Sequence, residues 1–122
     1  MEPHYLAHLT LQRTIDIPQE IADMMAVGEQ PMAAFATLRD TAVFTNKRLI
    51  LRDVQGMTGR KTEAYSIPFK AVDLWSTEKA GTMDVNAESE MWTRFGRIKI
   101  QVGRGVDVRA LDQLIANCVL NG

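Results

Sequence analysis

Gly56-Met57-Thr58-Gly59-Arg60-Lys61-Thr62 places a lysine and a hydroxyl behind two glycines, the side chains with which a phosphate-binding loop holds a nucleotide. The spacing departs from that loop. It needs its lysine directly after the second glycine and its first glycine five residues earlier, and here Arg60 and Val54 stand at those positions. The segment reads as a β-turn. Asp84-Val85-Asn86-Ala87-Glu88-Ser89-Glu90 alternates oxygen-bearing side chains like the start of a calcium loop, but Ser89 replaces the turn glycine and Phe95 the closing glutamate. A solvated edge strand or an intersubunit charged face fits it better. His4 and His8 would share one face of a helix, yet zinc takes three or four ligands and no second pair accompanies them. Cys118 falls on an apolar stripe, where a thiol acts as a small hydrophobe rather than a nucleophile. No catalytic residue, metal ligand or cofactor-binding residue is assigned. No cofactor is expected, and the chain is expected not to be an enzyme.

Trp75 and Trp92 are the two large aromatic residues. Alternation along Val72-Asp73-Leu74-Trp75 sets Trp75 on the side of Asp73, and Trp92 shares a face with Glu88 and Glu90. Two tryptophans on polar strand faces are candidate anchors for a protein interface; the alternative is that a bulge or twist turns them into the core.

These side chains belong to a chain of 122 residues with 46% hydrophobic content, enough for one domain with one core. Its 14 basic and 15 acidic side chains leave a formal charge of −1, without the basic excess of most nucleic-acid binders. A single cysteine cannot form an internal disulfide. The N-terminus lacks the basic start and apolar run of a signal peptide, and no stretch approaches the roughly 18 apolar residues of a membrane span. A cytoplasmic location is expected.

Charge alternates along the chain, with net −4 over 1–29, +4 over 39–70, −4 over 71–92 and +4 over 93–109. Either opposite faces carry opposite potentials, or neighbouring strands of opposite sign pair across a sheet. The middle reads as strands: Leu49 and Leu51 alternate with Arg48 and Arg52, and Ile98, Ile100 and Val102 alternate with Arg97, Lys99 and Gln101. Turn signals fall at Thr45-Asn46-Lys47, 55–59, Gly81 and Phe95-Gly96. At the end, Leu111, Leu114, Ile115 and Cys118 take the spacing of one helical face behind Asp107 as N-cap. Near the start, Pro18, the stripe Ile17, Ile21, Met24, Met25 and a closing Gly28 predict a further helix. Residues 1–14 read equally as a helical turn or an extended arm. The organisation expected is a helical extension over 1–28 followed by a mainly β domain over 29–122.

The run Gly28-Glu29, Arg39-Asp40, Val43-Phe44-Thr45-Asn46-Lys47-Arg48-Leu49-Ile50-Leu51 and Thr58-Gly59-Arg60-Lys61, continued by Tyr65-Ser66-Ile67-Pro68-Phe69, Glu78-Lys79-Ala80-Gly81 and Trp92, resembles the bacterial pleckstrin-homology (PH) domain family from about residue 27 to 118. The resemblance implies a seven-stranded, strongly bent antiparallel barrel plugged by the C-terminal helix. It also implies assembly, since members of the family look like ring-forming homo-oligomers. PH domains outside bacteria often bind phosphoinositides through paired basic residues at the first hairpin; the matching turn here offers Arg39 alone, beside Asp40. The leading expectation is a non-enzymatic homo-oligomer that mediates protein–protein interaction through strand edges and faces bearing Arg48, Arg52, Trp75, Glu88 and Trp92. The alternative is a peripheral binder of anionic lipid headgroups, or of another small anion, using Arg39, Lys47, Arg60 and Lys61. A membrane surface is the second choice and nucleic acid is not expected.

Overall fold

In the computed structural model, residues 5–55, 61–78 and 87–121 are described. His4, the glycine turn through Arg60, and the segment from Lys79 through Gly81 and Asp84 to Asn86 lie outside that set, as does the side chain of Lys61. Eight strands and two α-helices follow one another: β1 Tyr5–Ile15, α1 Gln19–Ala22, β2 Pro31–Thr37, β3 Asp40–Thr45, β4 Arg48–Gln55, β5 Lys61–Pro68, β6 Val72–Glu78, β7 Ala87–Thr93, β8 Gly96–Gly105 and α2 Val108–Asn121. All the strands form one curled sheet in the order β5-β4-β3-β2-β1-β8-β7-β6. A single 3-10 turn, Phe69–Ala71, carries the chain from β5 directly into β6.

The seven strands expected over 29–122 are β2 to β8. The helical extension expected over 1–28 is not formed, because the N-terminal segment supplies an eighth strand. Ala7, Leu9 and Leu11 recur every second residue, the period of a strand, and Leu11 is completely buried. β1 bends at a register shift between Leu11 and Arg13. Its first half runs parallel to β8, and its second half pairs antiparallel with β2. At Gly105 an added Cβ would meet the Gln12 carbonyl at 2.7 Å, so a side chain there would push the two strands apart. Among the described residues, Tyr5–Ile15 is thus a strand of the same sheet.

The predicted helix after Pro18 is only one turn long, because side chains capture the backbone groups that would continue it. Arg48 Nη2 donates to the Met24 carbonyl at 2.9 Å, and the Ala26 amide donates to Glu29 Oε1 at 2.9 Å. α1 nevertheless has a packing role. It lays Ile21 on the outer face of the sheet against Ala34, Val43 and Ile50, a second small core that explains why Ile50 is buried between Leu49 and Leu51.

The main core lies inside the curl. Phe44, Leu49, Met91, Ile98 and Ile100 are fully buried there, and α2 plugs one side with Leu111, Ile115 and Cys118, as its spacing predicts. Asp107 Oδ1 accepts the Arg109 amide at 3.0 Å, capping the helix start. Cys118 donates to the Thr45 carbonyl at 3.1 Å, and burial pushes its thiol up to about 11, which removes it as a nucleophile.

Trp75 departs from its expected phase. A register shift between Val72 and Leu74 leaves Leu74 exposed and turns Trp75 under α2, where it packs on the core. Its Nε1 donates to Asp112 Oδ1 at 3.2 Å, and Thr77 Oγ1 donates to the same oxygen at 2.7 Å. Asp112→Ala removes the acceptor of both, and about 1–3 kcal/mol of stability is expected to go with it. Urea unfolding followed by tryptophan fluorescence checks this; an unchanged midpoint would show that Asp112 does not hold the helix.

Candidate functional site

Three features of the fold gather chemistry-bearing or exposed groups: a buried polar latch, the two ends of the sheet, and an open groove. The latch gathers the motif residues of the β3–β4 turn. Arg48 Nε donates to Glu29 Oε2 at 2.8 Å, Arg48 Nη2 to Glu29 Oε1 at 3.1 Å, and Thr45 Oγ1 to Glu29 Oε2 at 2.6 Å. Asn46 binds the same loop from the other side, donating to the Gly28 carbonyl and accepting the Gln30 amide. Gly28 sits at φ +80, a conformation that favours glycine. The Glu29 side chain is 2% exposed. Burial works to raise its pKa, but Arg48, the Ala26 amide and Thr45 outweigh burial and hold the carboxyl below its usual value. Every donor here is already engaged, so the latch holds structure rather than ligand.

The sheet explains the charge alternation. Arg97 pairs with Glu90 at 2.9 Å, Lys99 with Glu88 at 3.5 Å, Arg39 with Asp53 at 2.9 Å, and Arg52 with Asp40 and, at 3.6 Å, Glu20. The acidic block 71–92 and the basic block 93–109 thus meet across β7 and β8, whereas Arg39–Asp53 and Arg52–Asp40 pair within the 39–70 block. Arg97 also lies over the rings of Tyr5 and Trp92, at 4.7 and 5.8 Å.

The five expected interface residues do not form one cluster, but they occupy the two ends of the sheet. Arg48 and Arg52 lie on β4, one strand in from β5. Glu88 and Trp92 lie on β7, one strand in from β6, and Trp75 is on β6 itself. Leu74, 53% exposed, pairs directly with Trp92. Among the described residues neither the outer edge of β5 nor that of β6 has a partner strand. The alternative anion-binding set is dispersed as well, because Arg39 and Lys47 flank opposite ends of β3.

The groove, of about 1070 Å³, opens at the part of the core that α2 does not cover. Ala7, Leu9, Leu51 and Ile67 form its floor. Each packs on the core and is only partly covered. Leu38, Arg39, Asp53 and Tyr65 stand at the rim. The Tyr65 phenol is held above its usual pKa, chiefly by its hydrogen bond with Glu63. Sequence reasoning missed this feature, since its floor comes from β1, β4 and β5 and each residue alone reads as ordinary core. Among the described residues no three His, Cys, Asp or Glu side chains gather to hold a metal ion, and no helix is long and apolar enough to cross a membrane.

Known proteins share this architecture. The uncharacterized protein YjqA of Bacillus subtilis is 44% identical over 87 residues, which is 71% of this chain and 70% of that protein. A crystal structure of a protein with a pleckstrin-homology domain from Shewanella loihica superposes with a TM-score of 0.76 at 36% identity, covering 88% of this chain and 98% of that one. A pleckstrin homology domain from Shewanella amazonensis gives 0.66 at 37% identity, over 84% and 85%. The pattern described as the bacterial PH domain matches residues 4–119, with β1 inside its bounds. With the curled sheet, the plugging helix and the motif latch in place, the chain belongs to the bacterial PH domain family.

Proposed function

We propose that this PH-like domain is a non-enzymatic assembly module that binds further copies of itself through its two free strand edges. The observation that carries the reading is that, among the described residues, the edges at the two ends of one sheet have no partner strand. Proteins usually blunt such edges with charges, proline or bulges. The exposed run Ala64-Tyr65-Ser66 of β5 carries no charge and no proline. The edge of β6 carries a register shift between Val72 and Leu74 and the charges of Asp73 and Glu78, and beside them it offers an apolar pair, Leu74 and Trp92. Two different edges that meet make a head-to-tail contact, which closes into a ring when the rotation per subunit allows it. Since the ion pairs are satisfied within the subunit, assembly rests on backbone pairing and apolar contact, and it should survive moderate salt.

The register supplies a specific test. The Phe69 amide donates to the Lys47 carbonyl at 3.0 Å, and Ile67 and Tyr65 pair opposite Leu49 and Leu51. By alternation the amides of Ser66 and Ala64 point away from β4, as does the nitrogen of Pro68. Ala64→Pro therefore blocks the outer edge without removing a bond to β4. Light scattering at low and high salt is expected to show an oligomer for the native chain and a folded monomer for Ala64→Pro. A native chain that stays monomeric at tens of micromolar in low salt would sink the proposal.

A further inference from the structure

The groove combines an apolar floor with charged groups at its rim. Its floor offers methyl and methylene groups only, from Ala7, Leu9, Leu51 and Ile67. The side chains of Thr10, Thr37, Thr41, Ser66 and Gln101 also line the groove, but over the four apolar residues a polyhydroxy anion would lose its water without replacement. An alkyl chain suits such a surface, and the volume, about 1070 Å³, is at the upper end of ligand cavities at roughly 300–1,000 Å³.

Among the described residues at the rim, one cation has unused donors. Arg39 is 70% exposed and gives Nε to Asp53 at 2.9 Å. Among the described residues no acceptor engages its two Nη groups, which form the pair that grips a carboxylate end-on. Arg52, the other arginine on the groove, is already bound to Asp40, Thr41 and Glu20. Leu38, 76% exposed at the tip of the β2–β3 turn beside Arg39, extends the apolar wall out to the cation. An apolar trough ending at a half-occupied guanidinium has the complementarity of one ligand class.

We propose that the groove binds a long-chain carboxylate, its alkyl chain along Ala7, Leu9, Leu51 and Ile67 and its carboxylate on Arg39. This site goes beyond the assembly reading and does not depend on it. Tyr65 and Ile67 belong to β5, so the ligand lies on the inner face of the strand whose outer edge is proposed to pair.

Calorimetric titration of the native protein with dodecanoate, and in parallel with dodecanol, tests the proposal. Saturable binding of one dodecanoate per chain in the micromolar range is expected. Arg39→Gln should weaken dodecanoate about tenfold and leave dodecanol unchanged, the value of one exposed charge-assisted contact. Leu38→Glu, at an exposed position that leaves the core intact, should weaken dodecanoate by at least as much. Ile67→Trp, which fills the floor, should abolish binding of both, with its folding checked by thermal melting. Ala64→Pro should bind dodecanoate like the native chain, which separates this site from the assembly edge. The proposal is overturned if the native protein shows no saturable dodecanoate binding, if Arg39→Gln weakens both ligands equally, or if inositol hexakisphosphate binds at Arg39 while dodecanoate does not.

Discussion

Arg48→Met is expected to destabilise the protein by about 3–5 kcal/mol, the range seen when one partner of a buried ion pair is removed. Arg48 donates twice to Glu29, once to the Met24 carbonyl at 2.9 Å and once to Ser66 Oγ at 3.0 Å. Without it the Glu29 carboxylate stays among buried groups with only Thr45 Oγ1 and the Ala26 amide to hold it. Glu29→Gln should be milder, because the amide still accepts a hydrogen bond and carries no charge into the interior. The double variant should lose less than the sum of the two singles. Arg48→Lys recovers only part of the stability, since an ammonium cannot span both carboxylate oxygens, the carbonyl and the serine at once. Because Glu29 titrates below its ordinary 4.5 in the folded chain, its contribution is complete above the unfolded value and lost as pH falls through the lowered folded one. Native stability should decline in that acid window, and the decline should be shallower in Glu29→Gln. Urea titrations across pH measure both effects, and a loss below about 1 kcal/mol for Arg48→Met would show that the latch is ornamental.

The second large effect is expected at Phe44. Its ring is fully buried, edge-on to Phe35 at 5.8 Å and stacked with Phe69 at 6.3 Å. Phe69 lies on the 3-10 turn that links β5 to β6. Phe44 thus joins the middle of the sheet to the connection between its two ends. Phe44→Ala should lose about 3–5 kcal/mol through the cavity it leaves, lowering Tm by on the order of 10–20 °C in a chain of this size. Phe95, on the β7–β8 turn and 70% exposed, is the matched control: Phe95→Ala should stay within about 0.5 kcal/mol of the parent. Similar losses for the two rings would mean that the packing described for Phe44 does not carry the core.

Elements governed by local period were legible from the residues alone. β8 buries Ile98, Ile100 and Val102, and α2 buries Leu111, Ile115 and Cys118, because each repeats its apolar face without interruption. β1 was hidden because Tyr5 and Leu6 obscure the alternation that begins at Ala7. Trp75 stayed open between a polar face and the core, because the register shift that decides for the core depends on the partner strand. The motif Gly28-Glu29 with Thr45-Asn46-Lys47-Arg48 carried the resemblance, yet five of these six residues, all but Lys47, close a loop on a turn through side chain or backbone. A motif records what the fold requires as readily as what a ligand requires. The groove was illegible for a different reason: its apolar floor is assembled from three strands, and only their curvature makes it concave.

The path of β1 has a consequence for the order in which the molecule can form. Its first half finds its place only against β8, with Leu9 opposite Ile100 and Thr10 opposite Gln101. Both partners therefore lie at opposite ends of the chain, and most loop-closure entropy must be surrendered before that contact can form. A ribosome adding roughly 5–20 residues per second leaves the segment from Tyr5 to Leu9 without its parallel neighbour for several seconds, while β2 to β5 are already able to pair. Nascent chains thus pass through an interval with an apolar N-terminal strand open to other chains. Strand addition between copies is then already a hazard during synthesis.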